Sequence, residues 1–332
     1  MRIASTLTLL AVAGGITLLS GFFVYGWSKG YDPIRGLGNI LRPHAEVVAS
    51  NPKTTRIAEH RVSWLGDIEH RDLKESSGLA ASIKHPGVLW SMNDSGGDAE
   101  LFAMTEGGAH LARLSVASHK PTDWESLDTF EFDGETYIAI GDIGDNFGWR
   151  KDVSVLVVPE PITIADARLE PAWEITYTYP DGARDSEALA VDVEGSRILV
   201  LSKRDYPPSL YSVPLTVTEP AVALKMGELT HLPQPMQSDY DEEPKVAQYR
   251  YMPSGMDYDP ITGQLLITTY KDAYIYDLAN LRSTPLWIPM PRIGQREAIT
   301  WVGSAGDRAV VSRERSEQKS AAQLFEIVLI TP

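Results

Sequence analysis

Residues 187–211, EALAVDVEGSRILVLSKRDYPPSLY, carry the pattern that decides the fold. A Glu-x-Leu label opens an apolar run, and two further apolar runs, Ile198–Leu201 and Leu210–Tyr211, follow after turns. Short β-rich runs that are separated by Gly, Pro and Asp are typical of antiparallel strands. The stretch therefore predicts three successive strands of one small sheet.

The same pattern recurs along the chain. The labels lie at Glu75–Leu79, Glu125–Leu127, Glu187–Leu189, Ser254–Asp257 and Glu297–Ile299. Each label is followed by an apolar second strand and, after a polar loop, by a third, and a fourth strand precedes the next label. The spacings between the labels, 50, 62, 67 and 43 residues, are irregular, but they are comparable to the roughly 40–50 residues of a four-stranded propeller blade. We therefore predict an all-β fold, a β-propeller of five four-stranded blades.

A propeller closes when a strand from one terminus completes the last blade, and His60–Trp64 can supply that strand. A ring of six blades is the alternative, because the segment 204–251 is longer than one junction between blades needs. A β-sandwich is disfavoured, because sandwich strands alternate without recurring four at a time behind one Glu-x-Leu label.

The N-terminal part of the chain has a different character. Residues 3–27 contain no charged side chain, and a run of that length can cross a bilayer with some tilt. We predict a transmembrane signal anchor at residues 1–29, a tether at residues 30–57 and the propeller at residues 58–332. This arrangement predicts a single-pass protein of the bacterial inner membrane with its propeller in the periplasm. Secretion after signal cleavage is the alternative.

Composition excludes several classes of protein. The 332 residues include 30 Lys and Arg against 45 Asp and Glu, a formal charge of −15. This acidity argues against nucleic acid as a partner, because binding phosphates requires a basic stripe. The chain contains no cysteine, which excludes disulfide frameworks, thiol nucleophiles and thiolate zinc sites.

The propeller topology predicts where polar side chains gather. In each blade the first strand lines the channel and the second runs antiparallel to it, so the start of the first and the end of the second share one edge. The candidate metal ligands at that edge are Glu75, Asn93, Asp94, Glu125, Asp142, Asp145, Asn146, Glu187 and Glu297. The basic residues Lys203, Arg204 and Arg313 are predicted at the same edge.

Carboxylates that crowd one rim repel each other unless a cation, shared protons or nearby basic side chains neutralise them. Oxygen ligands of this kind suit calcium best, so calcium is the predicted cofactor. Two alternatives stay open: the 93–98 loop has the composition of an ordinary turn, and the repeated glutamates could bond the backbone of the next blade instead of a metal. The acid-rich 141–146 loop is the least repeat-like and is the strongest functional candidate.

Five short motifs resemble a known group of proteins. They are Glu75-Ser-Ser-Gly-Leu79, Asn93-Asp-Ser-Gly-Gly97, Asp123-Trp-Glu-Ser-Leu127, Gly141-Asp-Ile-Gly-Asp-Asn146 and Asp185-Ser-Glu-Ala-Leu189. Together they are similar to bacterial extracytoplasmic propellers of the phytase-like or SdiA-regulated-like type. The resemblance implies a calcium-associated propeller, and some such proteins hydrolyse phosphomonoesters or other esters. It implies that the rim positions nearest the metal are Glu125, Asp142, Asp145, Asn146 and Glu187. The fourth repeat departs from the pattern, because Ser254 replaces the glutamate.

Two hypotheses about function follow. The first is a membrane-anchored module that binds a small polar or phosphorylated ligand, or a protein partner, on its acidic face, which is the edge of the propeller that carries the candidate metal ligands. The second is calcium-dependent hydrolysis of a phosphoester, with hydrolysis of a lactone as a variant. In the second hypothesis Lys203, Arg204 or Arg313 would hold the phosphate, and Glu187 or Asp142 would act as the base. The sequence offers no nucleophile–base pair, which favours the first.

Overall fold

The structure is a computed structural model that describes residues 47–94, 97–303, 306–315 and 321–330. The predicted anchor and the predicted tether as far as residue 46 lie outside the described residues. Within the described ranges, no helix is long and apolar enough to cross a membrane.

The described strands form five sheets, one for each predicted blade. In chain order they are β1 (Thr55–Arg56), β2 (His60–Asp67), β3 (Gly78–Ala81), β4 (Val88–Met92), β5 (Glu100–Thr105), β6 (His110–Val116), β7 (Trp124–Phe132), β8 (Glu135–Asp142), β9 (Val153–Pro159), β10 (Ala167–Leu169), β11 (Trp173–Thr178), β12 (Ser186–Asp192), β13 (Arg197–Ser202), β14 (Ser209–Pro214), β15 (Ala221–Val222), β16 (Leu224–Glu228), β17 (Pro253–Asp259), β18 (Gln264–Thr269), β19 (Ala273–Asp277), β20 (Leu286–Ile288), β21 (Arg296–Trp301), β22 (Arg308–Arg313) and β23 (Gln323–Leu329). Between β16 and β17 lie helix α1 (Gln237–Glu242) and a 3₁₀ turn (Ala247–Tyr249).

The strand order makes each sheet a propeller blade. From the channel outward the blades are β3-β4-β5-β6, β7-β8-β9-β11, β12-β13-β14-β16, β17-β18-β19-β20 and β21-β22-β23-β2. The inner strands β3, β7, β12, β17 and β21 contact one another in a closed ring. β2 completes the fifth blade beside β23, with His60 opposite Leu329, as predicted. The five-bladed propeller is therefore confirmed.

Both faces of the middle strands are buried, because each blade packs between two neighbours. On β13, Ile198 and Val200 belong to the apolar cluster shared with the second blade, whereas Leu199 and Leu201 belong to the cluster shared with the fourth. Successive side chains of a strand point to opposite faces of its sheet. An unbroken apolar run such as Ile198–Leu201 is therefore the pattern expected of a strand buried on both sides.

Aspartates on the inner strands hold neighbouring blades together. Asp128 Oδ2 accepts a hydrogen bond from the Val191 amide at 2.6 Å, and Asp257 Oδ2 accepts one from the Trp301 amide at 2.6 Å. Both aspartates lie three positions after the repeated position of the label. Hydrogen bonding to the backbone of the next blade is one of the two roles predicted for the repeated glutamates. In the structure these two aspartates make such bonds.

The long segment 204–251, every residue of which is described, contains no sixth blade. It contributes β14, β15 and β16 to existing sheets and then forms α1 and the 3₁₀ turn. Arg250 holds this insertion together, because its guanidinium lies 2.7 Å from Asp239, 2.8 Å from Glu242 and 2.9 Å from Glu243. Ion pairs within the insertion, and not a further ladder of strands, satisfy its polar residues. The alternative of six blades is therefore wrong.

Candidate functional site

Four of the inner strands begin with an irregularity in their register. The pairing with the second strand skips Glu125 in β7, Glu187 in β12 and Ser254 in β17, and it skips Glu297 with its neighbour in β21. A bulge leaves the extra residue out of the ladder and re-aims its side chain. All four residues are buried. The bulges thus place the repeated position of the sequence at the mouth of the channel.

In the first blade, a serine occupies this repeated position. Gly78 pairs with Met92, so Ser77 is the counterpart of the glutamates. Glu75 lies two residues earlier and is exposed. Glu75 therefore lies outside the predicted ring. Three residues separate it from Leu79, whereas one residue separates the glutamate from the leucine in a Glu-x-Leu label. With Ser254 in the fourth blade, the ring consists of three glutamates and two serines.

Three carboxyl groups converge at the mouth, and we call them the acidic cluster. One oxygen of each of Asp94, Asp123 and Glu125 lies within 4.8 Å of the others. Glu125 is 3% exposed, and its Oε2 accepts a hydrogen bond from Ser77 Oγ at 3.1 Å. Its Oε1 is buried and has no hydrogen-bond partner among the described residues. A buried carboxylate oxygen without a partner costs free energy, and a bound cation would remove that cost.

Gly144 closes one side of the acidic cluster. A Cβ atom at this position would lie 2.6 Å from Glu125 Oε1 and closer still to Asp123 Oδ2. The Gly144 amide also donates a hydrogen bond to the carbonyl oxygen of Asp123 at 3.2 Å. The 141–146 loop, the strongest candidate from the sequence, therefore approaches the cluster through the backbone of a glycine.

Burial and mutual repulsion shift the pKa values of the cluster. Burial, followed by the charges of Asp94 and Asp123, raises the pKa of Glu125 well above its usual range. Burial, with the charges of Asp94 and Asp185, raises the pKa of Asp123 to about 7. Both shifts mean that the charged form lacks a sufficient counter-charge. Calcium takes about six to eight oxygen ligands, so three carboxylates fit such a cation and leave positions for ligand oxygens.

A second acidic group surrounds Lys203. Glu187 forms an ion pair with Lys203, and its Oε2 accepts a hydrogen bond from the Tyr270 hydroxyl at 3.3 Å. Burial and the charge of Glu314 raise the pKa of Glu297 to about 8, whereas the charge of Lys203 opposes that rise. One ammonium group thus stabilises several carboxylates, and Glu187 is the one that it contacts.

Asn93, Asp145 and Asn146 hold the loops around the mouth. Asn93 Oδ1 accepts a hydrogen bond from the Lys74 amide at 2.8 Å. Asp145 accepts bonds from two amides of its own loop at 3.0 and 2.9 Å, and exposed Asn146 bonds to the guanidinium of Arg204. Asn93 thus ties its loop to the backbone of residues 72–75, whereas Asp145 bonds to the backbone of its own loop.

Asp142 lies at the end of β8 and has its own partners. Its Oδ1 lies 2.8 Å from Arg150 NH1, its Oδ2 lies 3.5 Å from His119 Nε2, and the Thr122 amide donates to Oδ2 at 2.8 Å. Burial would raise the pKa of Asp142, but the hydrogen bond with His119 and the charge of Arg150 outweigh it, and the pKa is lowered. Asp142 is therefore a charged anchor for this loop.

The three cations predicted to hold phosphate already have partners. Lys203 pairs with Glu187, and Arg204 Nε lies 2.5 Å from Asp185 Oδ2. Arg313 is buried and donates to a backbone carbonyl oxygen at 3.4 Å. An anion at this place would compete with carboxylates for Lys203 and Arg204.

Asp123 is the member of the acidic cluster that the set of sequence candidates omits. The signal that could have found it is an Asp-x-Glu spacing, which occurs at Asp123–Glu125 and again at Asp185–Glu187. In the second copy Asp185 pairs with Arg204, whereas in the first copy both carboxyl groups enter the cluster. The same spacing therefore serves a different purpose in adjacent blades.

No family model matches the chain, and no curated protein matches it. Several solved structures are similar to it in fold. A gluconolactonase from Xanthomonas campestris has 14% sequence identity and a TM-score of 0.44, over 87% of this chain and 99% of that one. The aldose sugar dehydrogenase from Streptomyces coelicolor has 11% identity and a TM-score of 0.41, over 82% and 99%. The calcium-binding protein regucalcin from Agrobacterium tumefaciens has 12% identity and a TM-score of 0.40, over 81% and 96%. At these identities and TM-scores the likeness assigns neither an activity nor the phytase-like or SdiA-regulated-like type.

Proposed function

We propose that this chain is a propeller that binds a divalent cation, with calcium the best fit, and that it recognises a small polar or phosphorylated ligand or a protein partner on its acidic face. The observation that carries the proposal is the buried Glu125 Oε1, which has no hydrogen-bond partner among the described residues. One carboxyl oxygen of Glu125 lies within 4.8 Å of a carboxyl oxygen of Asp94 and of Asp123. A hard cation would satisfy this oxygen and remove the repulsion among the three groups.

Calcium binding is tested by the thermal stability of the purified full-length chain with calcium and with a chelator. A cation that binds the folded state alone, at about a hundredfold excess over its Kd, adds about 2.7 kcal/mol to the free energy of unfolding. We expect calcium to raise the Tm of the wild type and to lose that effect in Glu125→Gln. Glu131→Gln is the matched control, because Glu131 lies in the same strand and is exposed. A Tm that is indifferent to calcium and chelator would contradict the proposal.

The proposal includes the place where the acidic face is displayed. The uncharged run at residues 3–27 supports a membrane anchor that holds the propeller outside the cytoplasm, in the periplasm of a bacterial inner-membrane protein. Fractionation of cells that express the full chain tests this part. We expect the protein to stay with the membrane after a high-salt wash, whereas recovery in the soluble periplasmic fraction would support cleavage and secretion instead.

Hydrolysis of a phosphoester or lactone is the second candidate function. The observation that favours it is a cavity of about 570 Å³ that adjoins the acidic face, with Lys203 lining the cavity and also contacting Glu187 of the ring. In this second function a substrate in the cavity would extend a reacting group toward a cation on the acidic face, and the metal would polarise that group. Turnover of p-nitrophenyl phosphate or of an aliphatic lactone that requires calcium and is lost in Glu125→Gln would establish this activity. No turnover above the blank would leave binding as the function.

A further inference from the structure

The cavity beside the acidic face has the size and lining of a small-molecule site. It lies between the α1 insertion and the loop that joins β20 to β21, and its volume is about 570 Å³. Val246, Tyr249 and Met290 form part of its apolar surface. Sites for organic ligands usually measure about 300–1,000 Å³ and combine an apolar lining with a few placed polar groups. The dimensions therefore fit one organic molecule of ordinary ligand size.

Basic side chains outnumber acidic ones around this cavity, although the chain as a whole has a formal charge of −15. The basic residues are Lys203, Arg204, Arg250, Lys271, Arg292 and Arg296, and the acidic ones are Glu242, Glu243 and Asp272. All of the basic residues except Arg296 pair with carboxylates. These carboxylates offset the charges of the residues that they contact, so Arg296 is the basic residue of the lining that is left for an anion.

Arg296 differs from the other basic residues of the cavity. It is 2% exposed, and its Nε has no hydrogen-bond partner in the described part of the chain. Its NH1 makes long contacts, of 3.5 and 3.4 Å, with the carbonyl oxygens of Pro291 and Gly294. The acidic residue whose charge most affects the pKa of Arg296 is Asp272. Asp272 Oδ1 accepts a hydrogen bond from the Met290 amide at 2.9 Å. A guanidinium that is buried without a carboxylate partner is costly.

The pKa of Arg296 reflects the same deficit. Burial lowers it to about 10, and the charge of Asp272 offsets only part of that effect. The group remains charged at neutral pH, so it stays available to an anion. Guanidinium groups bind carboxylate and phosphate oxygens through paired N–H donors.

We propose that this cavity binds a small organic anion, whose carboxylate or phosphoryl oxygens are held by Arg296 and whose apolar body packs against Val246, Tyr249 and Met290. The anion supplies the counter-charge that the described residues do not. This site stands without the cation of the proposed function, because Arg296 contacts none of the acidic cluster.

Isothermal titration of the full-length chain with benzoate and with phenyl phosphate, in the presence of a chelator, tests the anion site. We expect saturable binding of at least one of the two, and the preferred probe distinguishes a carboxylate ligand from a phosphorylated one. A hydrogen bond to a charged group contributes about 1.5–3 kcal/mol, so Arg296→Gln should weaken binding by about tenfold to a hundredfold. Arg168→Gln removes the same charge at an exposed residue of β10 and should bind as the wild type does.

A second variant keeps the test valid if Arg296→Gln fails to fold. Val246 is 47% exposed on the insertion, so Val246→Trp would fill the cavity without removing a charge, and we expect it to abolish binding. Three results would overturn the proposal: no saturable binding of either anion, wild-type affinity in folded Arg296→Gln, or equal binding of uncharged benzyl alcohol. Because chelator is present throughout, failure here is distinct from failure of the calcium proposal.

Discussion

Asp123 and Glu125 are two residues apart, and Asp94 reaches the same point from another blade. The bulge at Glu125 re-aims its side chain toward the mouth, where the carboxyl group of Asp123 also lies. The third comes to them because the first and second blades are adjacent in the ring. Burial and mutual repulsion then make their negative charges costly. A cation bound between the three carboxyl groups would attract each of them and offset that cost.

Asp123→Asn should weaken calcium binding, because it replaces a charged oxygen of the acidic cluster with a neutral amide. We expect an increase in Kd of at least about tenfold, which corresponds to about 1.4 kcal/mol, in a calcium titration of the full chain. Asp98→Asn, an exposed position in the neighbouring loop, is the control and should leave Kd unchanged. Equal affinity of the two variants would mean that Asp123 is not a ligand.

The raised pKa of Glu297 predicts that the stability of the fold depends on pH. Its pKa is raised from 4.5 to about 8, so the folded state holds this proton more tightly than the unfolded state does. The stability that results is complete below about pH 4.5 and is lost as the pH rises through about 8. Urea unfolding in chelator should therefore give a lower free energy of unfolding at about pH 8.5 than at about pH 5.5. The difference should shrink in Glu297→Gln and stay unchanged in Glu131→Gln; an undiminished difference in Glu297→Gln would assign it to other groups.

At the level of elements, the bulges and the loops after the second strands build the acidic face. A bulge at the start of an inner strand turns one side chain toward the mouth, and the loop that follows the neighbouring strand covers it. In the second blade the covering residue is Gly144, whose lack of a Cβ leaves room for Asp123 and Glu125. The absence of a side chain at Gly144 therefore determines how closely the loop approaches the acidic cluster.

Gly144→Ala tests this role of the loop. The added methyl group would lie 2.6 Å from Glu125 Oε1, so the carboxyl groups of the acidic cluster would have to separate. We expect calcium affinity to fall by at least about tenfold, and overpacking to cost the chelated protein about 1–3 kcal/mol. Gly97→Ala places its methyl group 3.7 Å from its nearest neighbours and should change neither quantity. Wild-type calcium affinity in Gly144→Ala would exclude the cluster as the binding site.

The strands of this protein are predictable from its sequence, because runs such as Ile198–Leu201 must be buried on both faces. The side-chain partners are less predictable. Glu75 looks like a member of the repeat, but the register of β3 puts Ser77 in its place. That register is set by the pairing of β3 with β4, which the Glu-x-Leu motif alone does not specify. Arg250 and the acids of the insertion meet through tertiary contacts, which apolar periodicity does not reveal. The membrane anchor at residues 1–29 stays a prediction.

At the scale of the whole molecule, the propeller depends on one joint. β2, from the N-terminal side of the domain, pairs with β23 and so links the fifth blade to the chain that continues into the first. Next to this joint, the turn between β5 and β6 contacts the segment after β2 and the strand β22. The Glu69 amide donates to the Gly108 carbonyl oxygen at 3.0 Å, and Arg308 pairs with Glu106 at 2.9 Å. The acidic cluster combines first-blade and second-blade residues, so its geometry depends on a closed ring.

Gly66→Ala should therefore weaken the joint and, with it, the whole fold. Gly66 lies at the bulge of β2, and a Cβ atom there would collide with the carbonyl oxygen of Gly107 and lie 2.9 Å from its carbonyl carbon. Backbone atoms cannot move aside as a side chain can, so we expect a loss of about 2 kcal/mol or more in the free energy of unfolding, measured in urea. Gly107→Ala, in the same turn, meets its nearest neighbour at 3.7 Å and should stay within about 0.5 kcal/mol of the wild type. If the two variants were equally stable, closure through β2 would contribute little, and the first and fifth blades would have to be held together by their inner strands alone.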